Sequence, residues 1–175
     1  MTETQEAVVF DFGAGAEPWP SIDDPVMGGL SRSRMRLEGE VVVFEGIVSL
    51  ENNGGFASAR SRPARHRLAG FDGLTLRLRG DGKVYGVRLR TTRSFDGVSY
   101  QAKVETQAGS WQEIRIPFSL FEPGFRGRSV PDYPVLDPGE IRTFGLIISD
   151  KQEGPFRLEI DSIGAYRAAP SATAR

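Results

Sequence analysis

Gly73-Leu74-Thr75-Leu76-Arg77-Leu78-Arg79-Gly80-Asp81-Gly82-Lys83-Val84-Tyr85-Gly86-Val87-Arg88-Leu89-Arg90 is the stretch from which the fold can be read. Leu74, Leu76 and Leu78 alternate with Thr75, Arg77 and Arg79, and Val87 and Leu89 alternate with Arg88 and Arg90. Side chains of a strand point to opposite faces in turn, so each run has one apolar face and one polar face. Gly80-Asp81-Gly82 between them supplies the residues that tolerate a tight turn.

The same pattern repeats outward in both directions. Strands are predicted at Val8–Phe12, Leu30–Leu37, Val41–Leu50, Gly55–Arg60, Gly73–Arg79, Val84–Thr91, Val98–Thr106, Ser110–Phe118, Ile141–Ser149 and Pro155–Tyr166. Further turns are predicted at Glu38-Gly39-Glu40, Phe95-Asp96-Gly97 and Ala108-Gly109, and no helical period runs for ten residues. About ten strands, each with one apolar face and joined in part by long connections at 13–29, 61–71 and 119–140, describe an all-β chain. Its apolar faces meet when two sheets stack as a jelly-roll β-sandwich; a closed barrel is the alternative.

The chain has 175 residues, the size of one domain. Residues 1–6 are expected to be a disordered N-terminus, 7–167 the domain and 168–175 a flexible tail. Lys and Arg number 22 against 23 Asp and Glu, so no global field draws nucleic acid or an anionic membrane. No apolar run is long enough for a membrane helix. Cysteine is absent, which excludes disulfides, thiolate catalysis and Cys-type zinc sites. Met1 to Glu6 is acidic and resembles neither a secretory signal nor a transit peptide, so a cytoplasmic location is expected.

Several local motifs reduce to structure. Phe12-Gly13-Ala14-Gly15-Ala16-Glu17-Pro18 begins like a dinucleotide fingerprint but carries Pro18 where a close-packing glycine belongs, and no helix follows. His66 is the one histidine, lies between Arg65 and Arg67, and reads as a solvated loop residue with neither a metal partner nor a serine elbow. Arg79-Gly80-Asp81 reads as a strand end entering a turn. Asp23, Asp24 and Asp150 are the carboxylates nearest to a calcium site, but they lack the alternating spacing of a calcium loop, so no metal and no cofactor are expected.

Four loops combine glycines, polar side chains and an apolar anchor: 21–31, 51–56, 79–85 and 149–156. If strands alternate in direction and the long connections 61–71 and 119–140 each reverse the chain, all four emerge at one end of the sandwich. A second candidate is an arginine-bearing face, since Arg77, Arg79, Arg88, Arg90, Gln101 and Lys103 occupy alternate positions on three consecutive strands.

The loops also spell an ordered set of motifs: Asp24-Pro25-Val26-Met27-Gly28-Gly29-Leu30-Ser31, Phe44-Glu45-Gly46, Glu51-Asn52-Asn53-Gly54-Gly55-Phe56, Arg79-Gly80-Asp81-Gly82 with Tyr85, and Tyr100-Gln101. Trp111, Ile116-Pro117-Phe118, Phe125-Arg126-Gly127 and Asp150-Lys151-Gln152-Glu153-Gly154-Pro155-Phe156 follow. Over about residues 8–167 this set resembles the complex I intermediate-associated protein 30 family, whose mitochondrial members assist assembly of NADH:ubiquinone oxidoreductase. The resemblance implies a galactose-binding-domain-like sandwich and a protein partner, respiratory complex I subunits or assembly intermediates, with no catalytic residues to carry over. The chain lacks the transit peptide and the reductase-like domain of some members and looks like a bare, bacterial-type version of the domain.

The expected function is therefore a non-enzymatic assembly-factor module gripping its partner through Asp24, Met27, Gly28, Gly29, Ser31, Asn53, Gly54, Gly55, Phe56, Asp81, Tyr85, Asp150, Lys151 and Gln152. The alternative is a carbohydrate- or small-ligand-binding module in which Trp19, Tyr100 or Trp111 forms a stacking platform.

Overall fold

The alternation in Gly73–Arg79 becomes a strand in which Leu74, Leu76 and Leu78 are buried while Arg77 is exposed. The computed structural model describes residues 5–23, 29–51, 55–92, 97–125 and 128–168. Its strands are β1 (Gln5–Asp11), β2 (Arg32–Glu38), β3 (Val41–Val48), β4 (Ala57–Arg60), β5 (Gly73–Arg79) and β6 (Val84–Arg90). They continue with β7 (Ser99–Glu105), β8 (Trp111–Pro117), β9 (Glu122–Phe125), β10 (Arg128–Ser129), β11 (Thr143–Ile148) and β12 (Gly154–Arg167). Among the described residues that is twelve strands against the expected ten or so. The additional short pair, β9 and β10, lies inside 119–140, where Pro123, Gly124 and Gly127 hide the strand pattern. Strand β1 starts at Gln5, two residues before the expected start of the domain.

Two six-stranded antiparallel sheets form, and the barrel alternative is excluded. One has the order β2-β3-β12-β5-β8, with β1 added along the C-terminal half of β12; the other has the order β10-β9-β7-β6-β11-β4. The fourteen-residue β12 serves two neighbours on one side, β3 through Gly154–Ile160 and β1 through Ser162–Arg167. The inner faces interlock as a single core. Phe156 touches Phe44 within its own sheet and Tyr85 across the gap, with ring centroids 5.0 and 6.3 Å apart. At the opposite end Phe10, Phe12, Trp19 and Phe144 pack together.

His66 belongs to this second cluster, which corrects its reading as a solvated residue. Its ring stands edge-on to Phe144 at 4.9 Å, its Nε2 is buried without a partner, and burial lowers its pKa below the ordinary value. The fingerprint-like stretch is a 3-10 turn at Phe12–Ala14, capped when Ala14 N donates to the Asp11 carboxylate at 3.1 Å. Asp23, the first of the carboxylates weighed for calcium, is a staple between the sheets. It accepts Ser33 N and Oγ from β2 at 2.7 and 2.5 Å and Ser58 N from β4 at 3.0 Å. Among the described residues no three His, Asp or Glu side chains gather as a metal site, and no helix is long and apolar enough to cross a membrane.

Candidate functional site

The strand registers place the C-terminal ends of β3, β5 and β11 beside the N-terminal ends of β12, β6 and β4: Val48 pairs with Gly154, Ile147 with Gly86, and Ile148 with Ala57. The connections 61–71 and 119–140 both reverse the chain at the far end, as the parity count requires. The described parts of the four loops therefore meet at one end of the sandwich. A fifth connection, 106–110, joins them: Gly82 N donates to Thr106 Oγ1 at 3.0 Å, and Thr106 Oγ1 donates to Lys83 O at 2.7 Å.

Most of the expected site residues found there hold the loops to one another. The Ser31 hydroxyl is buried, accepts Ser49 N at 2.9 Å and donates to Ser49 O at 3.2 Å, tying the segment before β2 to the end of β3. Asp81 accepts the Tyr85 hydroxyl on both oxygens at 3.0 Å, Lys83 N at 3.1 Å and Arg157 N at 2.8 Å. Tyr85 is buried, and desolvation followed by the Asp81 charge raises its pKa, so it remains a neutral donor. The Gln152 side chain imitates a strand: its Oε1 accepts Val84 N at 2.9 Å and its Nε2 donates to Val84 O at 2.7 Å. Gly29 is buried, while Gly55, with φ +140°, and Phe56 are half-buried.

Asp150 and Lys151 alone of the described set stand out as exposed, at the tip of a turn where both hold left-handed backbone, φ 59° and 58°. Asp150 pairs with Lys103 on the outer face of β7 at 3.0 Å. Asp24, Met27, Gly28, Asn53 and Gly54 lie outside the described residues, as do Phe95 and Asp96 of one expected turn.

Beside these loops lies an apolar edge that the sequence reading missed. Leu30, Ile47 and Leu50 are 46%, 58% and 37% exposed. The bonds between Ser31 and Ser49 bring the first and last of them together, and Pro155, also exposed, is the strand partner of Ile47. The available signal was in β3, where Val42, Phe44 and Val48 face the core, so that Val43 and Ile47 are apolar residues of the other parity.

The expected arginine face is split in two. Arg77 and Arg79 lie on the outer face of the β5 sheet, whereas Arg88, Arg90, Gln101 and Lys103 lie on the outer face of the β6 sheet. Arg77 pairs with Asp161 at 3.7 Å, and Arg79 joins an ion-pair lattice. Glu45 takes Arg34, Arg36 and Arg157 at 3.0, 2.9 and 3.0 Å; Glu159 takes Arg79 and Arg157; and Glu38 takes Arg36 and Arg157. Hydrogen bonds from Arg36, Arg79 and Arg157 hold Glu45, Glu159 and Glu38, respectively, below the usual carboxylate pKa.

These shifts define an acid limb. A carboxylate with a depressed folded-state pKa is protonated first in the unfolded chain, so its stabilisation is present above pH 4.5 and is lost as pH falls through the folded value. His66 is neutral in the fold, and its unfolded form takes up a proton below pH 6.5, so stability also declines below that pH. Melting temperature measured against pH is expected to fall in two stages, below about 6.5 and again below about 4.5. His66→Phe should abolish the first stage and leave the second; a native profile without the stage below about 6.5 would contradict the His66 assignment, and one without the stage below about 4.5 the carboxylate assignment.

The stacking rings of the carbohydrate alternative do not form a platform. Trp19 and Tyr100 are buried at 5% and 3% exposure, and the guanidiniums of Arg77 and Arg79 lie over the Trp111 ring at 5.2 and 5.1 Å.

The fold is that of solved carbohydrate-binding modules. Two structures of the family 11 carbohydrate-binding module from Clostridium thermocellum, one with a β-1,3-1,4-mixed-linked tetrasaccharide, superpose with TM-scores of 0.71 and 0.73 at 15% identity. They cover 95% and 96% of this chain and 98% of their own, and at that identity they establish the galactose-binding-like jelly roll alone. Sequence comparison points elsewhere. The mitochondrial complex I intermediate-associated protein 30 of Mus musculus is 41% identical over 102 residues, 55% of this chain and 30% of its own. That of Drosophila melanogaster is 29% identical over 182 aligned positions, 90% of this chain and 62% of its own. This chain thus spans about a third of the mouse relative's length and less than two thirds of the fly's. The family model described as complex I intermediate-associated protein 30 matches residues 9–160, and the chain belongs to that family.

Proposed function

We propose that this domain is a non-enzymatic assembly-factor module that holds a protein partner of respiratory complex I assembly through the loop end of the sandwich, working in the cytoplasm. The family supports the assembly role, since relatives of this chain are named for complex I intermediates. The observation that carries the choice of surface is the exposed edge of Leu30, Ile47 and Leu50 beside the charged turn of Asp150 and Lys151. Adjacent exposed apolar side chains with a polar rim are the usual makeup of a protein interface. Hydrogen bonds of the buried Ser31 and Tyr85 and of the half-buried Asp81 and Gln152 tie the loops together, so a partner meets a preformed surface.

The test is affinity capture from a native host with an assembled complex I. The wild-type domain is expected to recover complex I subunits. The double variant Leu30→Ser with Lys151→Ala should melt close to wild type, because both side chains are exposed and alanine at φ +58° replaces another non-glycine residue. Its recovery of those subunits should drop at least about tenfold, as truncation of two contact residues requires. Full recovery by the variant would remove the loop end from consideration, and recovery of glycan-processing enzymes instead would favour the carbohydrate alternative.

A further inference from the structure

The edges of the two sheets differ in how they are closed. Beside β4 runs the segment 20–22, which exchanges backbone bonds with Ser58 and Arg60, and β2 is held along its flank where Ser21 and Asp23 bond to Ser33. Strand β10 has two residues, and the ladder of β1 is irregular between Val8 and Phe10. None of these devices closes β8. It is a seven-residue edge in unbroken register with β5, and among the described residues no strand pairs with its other side. A long, regular, open edge is a template for a further strand, and natural sheets seldom leave one uncovered.

The next residue of the ladder fixes where the backbone groups of β8 point. Phe118 N donates to Asp72 O at 2.9 Å, continuing the register that pairs Pro117 with Gly73. Because antiparallel bonds alternate, Gln112, Ile114 and Ile116 turn their amides and carbonyls to β5, while Trp111, Glu113 and Arg115 turn theirs outward. The side chains of these last three are exposed on the outer face, opposite Arg79, Arg77 and Thr75.

Their charges supply a second observation. Glu113 stands opposite Arg77, yet Arg77 turns to Asp161 and to the Trp111 ring, at 3.7 and 5.2 Å. Among the described residues Glu113 makes no ion pair, on a face where Glu38, Glu45, Glu159 and Asp161 each have one. Arg115 lies over the Tyr166 ring at 5.0 Å and reaches Glu6 only at 3.9 Å, so its guanidinium keeps donors to spare.

We propose that β8 is the seam of a homodimer in which two copies of this chain pair antiparallel about a two-fold axis at Ile114. In that register Glu113 of each copy meets Arg115 of the other, and Trp111 meets Pro117. The Ile114 side chains, half-buried at the margin of each core, lie side by side. The backbone agrees, since Glu113 and Arg115 both point their amides and carbonyls outward and can exchange them. Neighbouring registers are penalised. A slip of one residue sets core-facing side chains against outer ones, and a slip of two sets Glu113 against Glu113 or Arg115 against Arg115. The seam joins the two six-stranded sheets into one and lies across the sheet from β2 and β3, so the edge of Leu30, Ile47 and Leu50 stays open in both copies.

Sedimentation velocity of the whole chain from micromolar to millimolar concentration is expected to show a concentration-dependent dimer. Glu113→Arg sets cations face to face across the seam and Arg115→Glu sets carboxylates face to face, so each change alone should weaken dimerisation at least about tenfold. An equimolar mixture of the two variants restores opposite charges at each pair and should dimerise like the native chain, as should one chain carrying both changes. Misfolded chains would not show that rescue. If a single variant melts early, the 15N-labelled native chain decides, because the amides of residues 111–117 should shift with concentration. The proposal is overturned by a native chain that stays monomeric at millimolar concentration, by a dimer whose shifts fall elsewhere, or by well-folded variants whose mixture does not recover the dimer.

Discussion

Gly46→Ala is expected to be the most damaging conservative change in the molecule, destabilising it by on the order of 3 kcal/mol and lowering the melting temperature by roughly 6–12 °C. Gly46 lies within β3 opposite Ser33 of β2, and a Cβ built there would sit 2.0 Å from Arg32 O and 2.7 Å from Ser33 Cα. Both are backbone atoms, so no side chain can rotate aside; β2 itself must move. That movement would disturb the Asp23 staple, which holds Ser33 to Ser58 across the sandwich edge. Gly97→Ala is the matched control, because among the described residues nothing lies within 4 Å of its Cβ position and its φ is not left-handed. It should stay within about 0.5 kcal/mol of the native protein. Thermal unfolding of the two variants checks the argument, and a Gly46→Ala protein that melts within 2 °C of the native one refutes it.

Asp81→Ala follows, with an expected loss of about 2–3 kcal/mol, because the carboxylate gathers three separate groups: the Tyr85 hydroxyl, Lys83 N and Arg157 N. Removing it leaves the Tyr85 hydroxyl buried without its acceptor, between sheets packed through Phe156 and Phe44. Tyr85→Phe deletes the orphan instead of creating one and should cost only about 1 kcal/mol, since the remaining partners of Asp81 stay in place. A combined variant should therefore be less damaged than the sum of the two single changes, as coupled neighbours require. Denaturant unfolding of the three proteins measures that coupling; strictly additive losses would show that Asp81 acts on the loop independently of Tyr85.

The changes at Asp81 and Tyr85 test whether residues first read as a contact surface serve instead as supports. Asp81, Tyr85, Ser31 and Gln152 were singled out as polar side chains on glycine-rich loops, which is how binding loops and well-built turns alike appear in a sequence. Distance in the chain separates the two cases. Gln152 meets Val84 and Ser31 meets Ser49, partners that no local pattern can name. The exposed edge of Leu30, Ile47 and Leu50 was missed for the converse reason: apolar residues were assigned to the core, and their exposure depends on which side of the sheet lacks a covering layer.

What the sequence determined by itself is the local geometry and its consequence for class. Alternation in 73–90 and its repeats set period-two strands, Gly and Asp set the turns, and strands with one apolar face left two stacked sheets as the economical arrangement. The ordered motifs likewise pointed to the family that the chain belongs to. Only the tertiary structure decided which polar faces coincide. The arginines of β5 and β6 have the same alternation in sequence, yet β5 enters one sheet and β6 the other, so Arg77 and Arg79 pair with Asp161 and Glu159 of β12 while Arg88 and Arg90 meet Arg60 and Thr143 around Gly145. Strand pairing is a long-range choice made by the total burial of both sheets, and no window of alternating residues contains it.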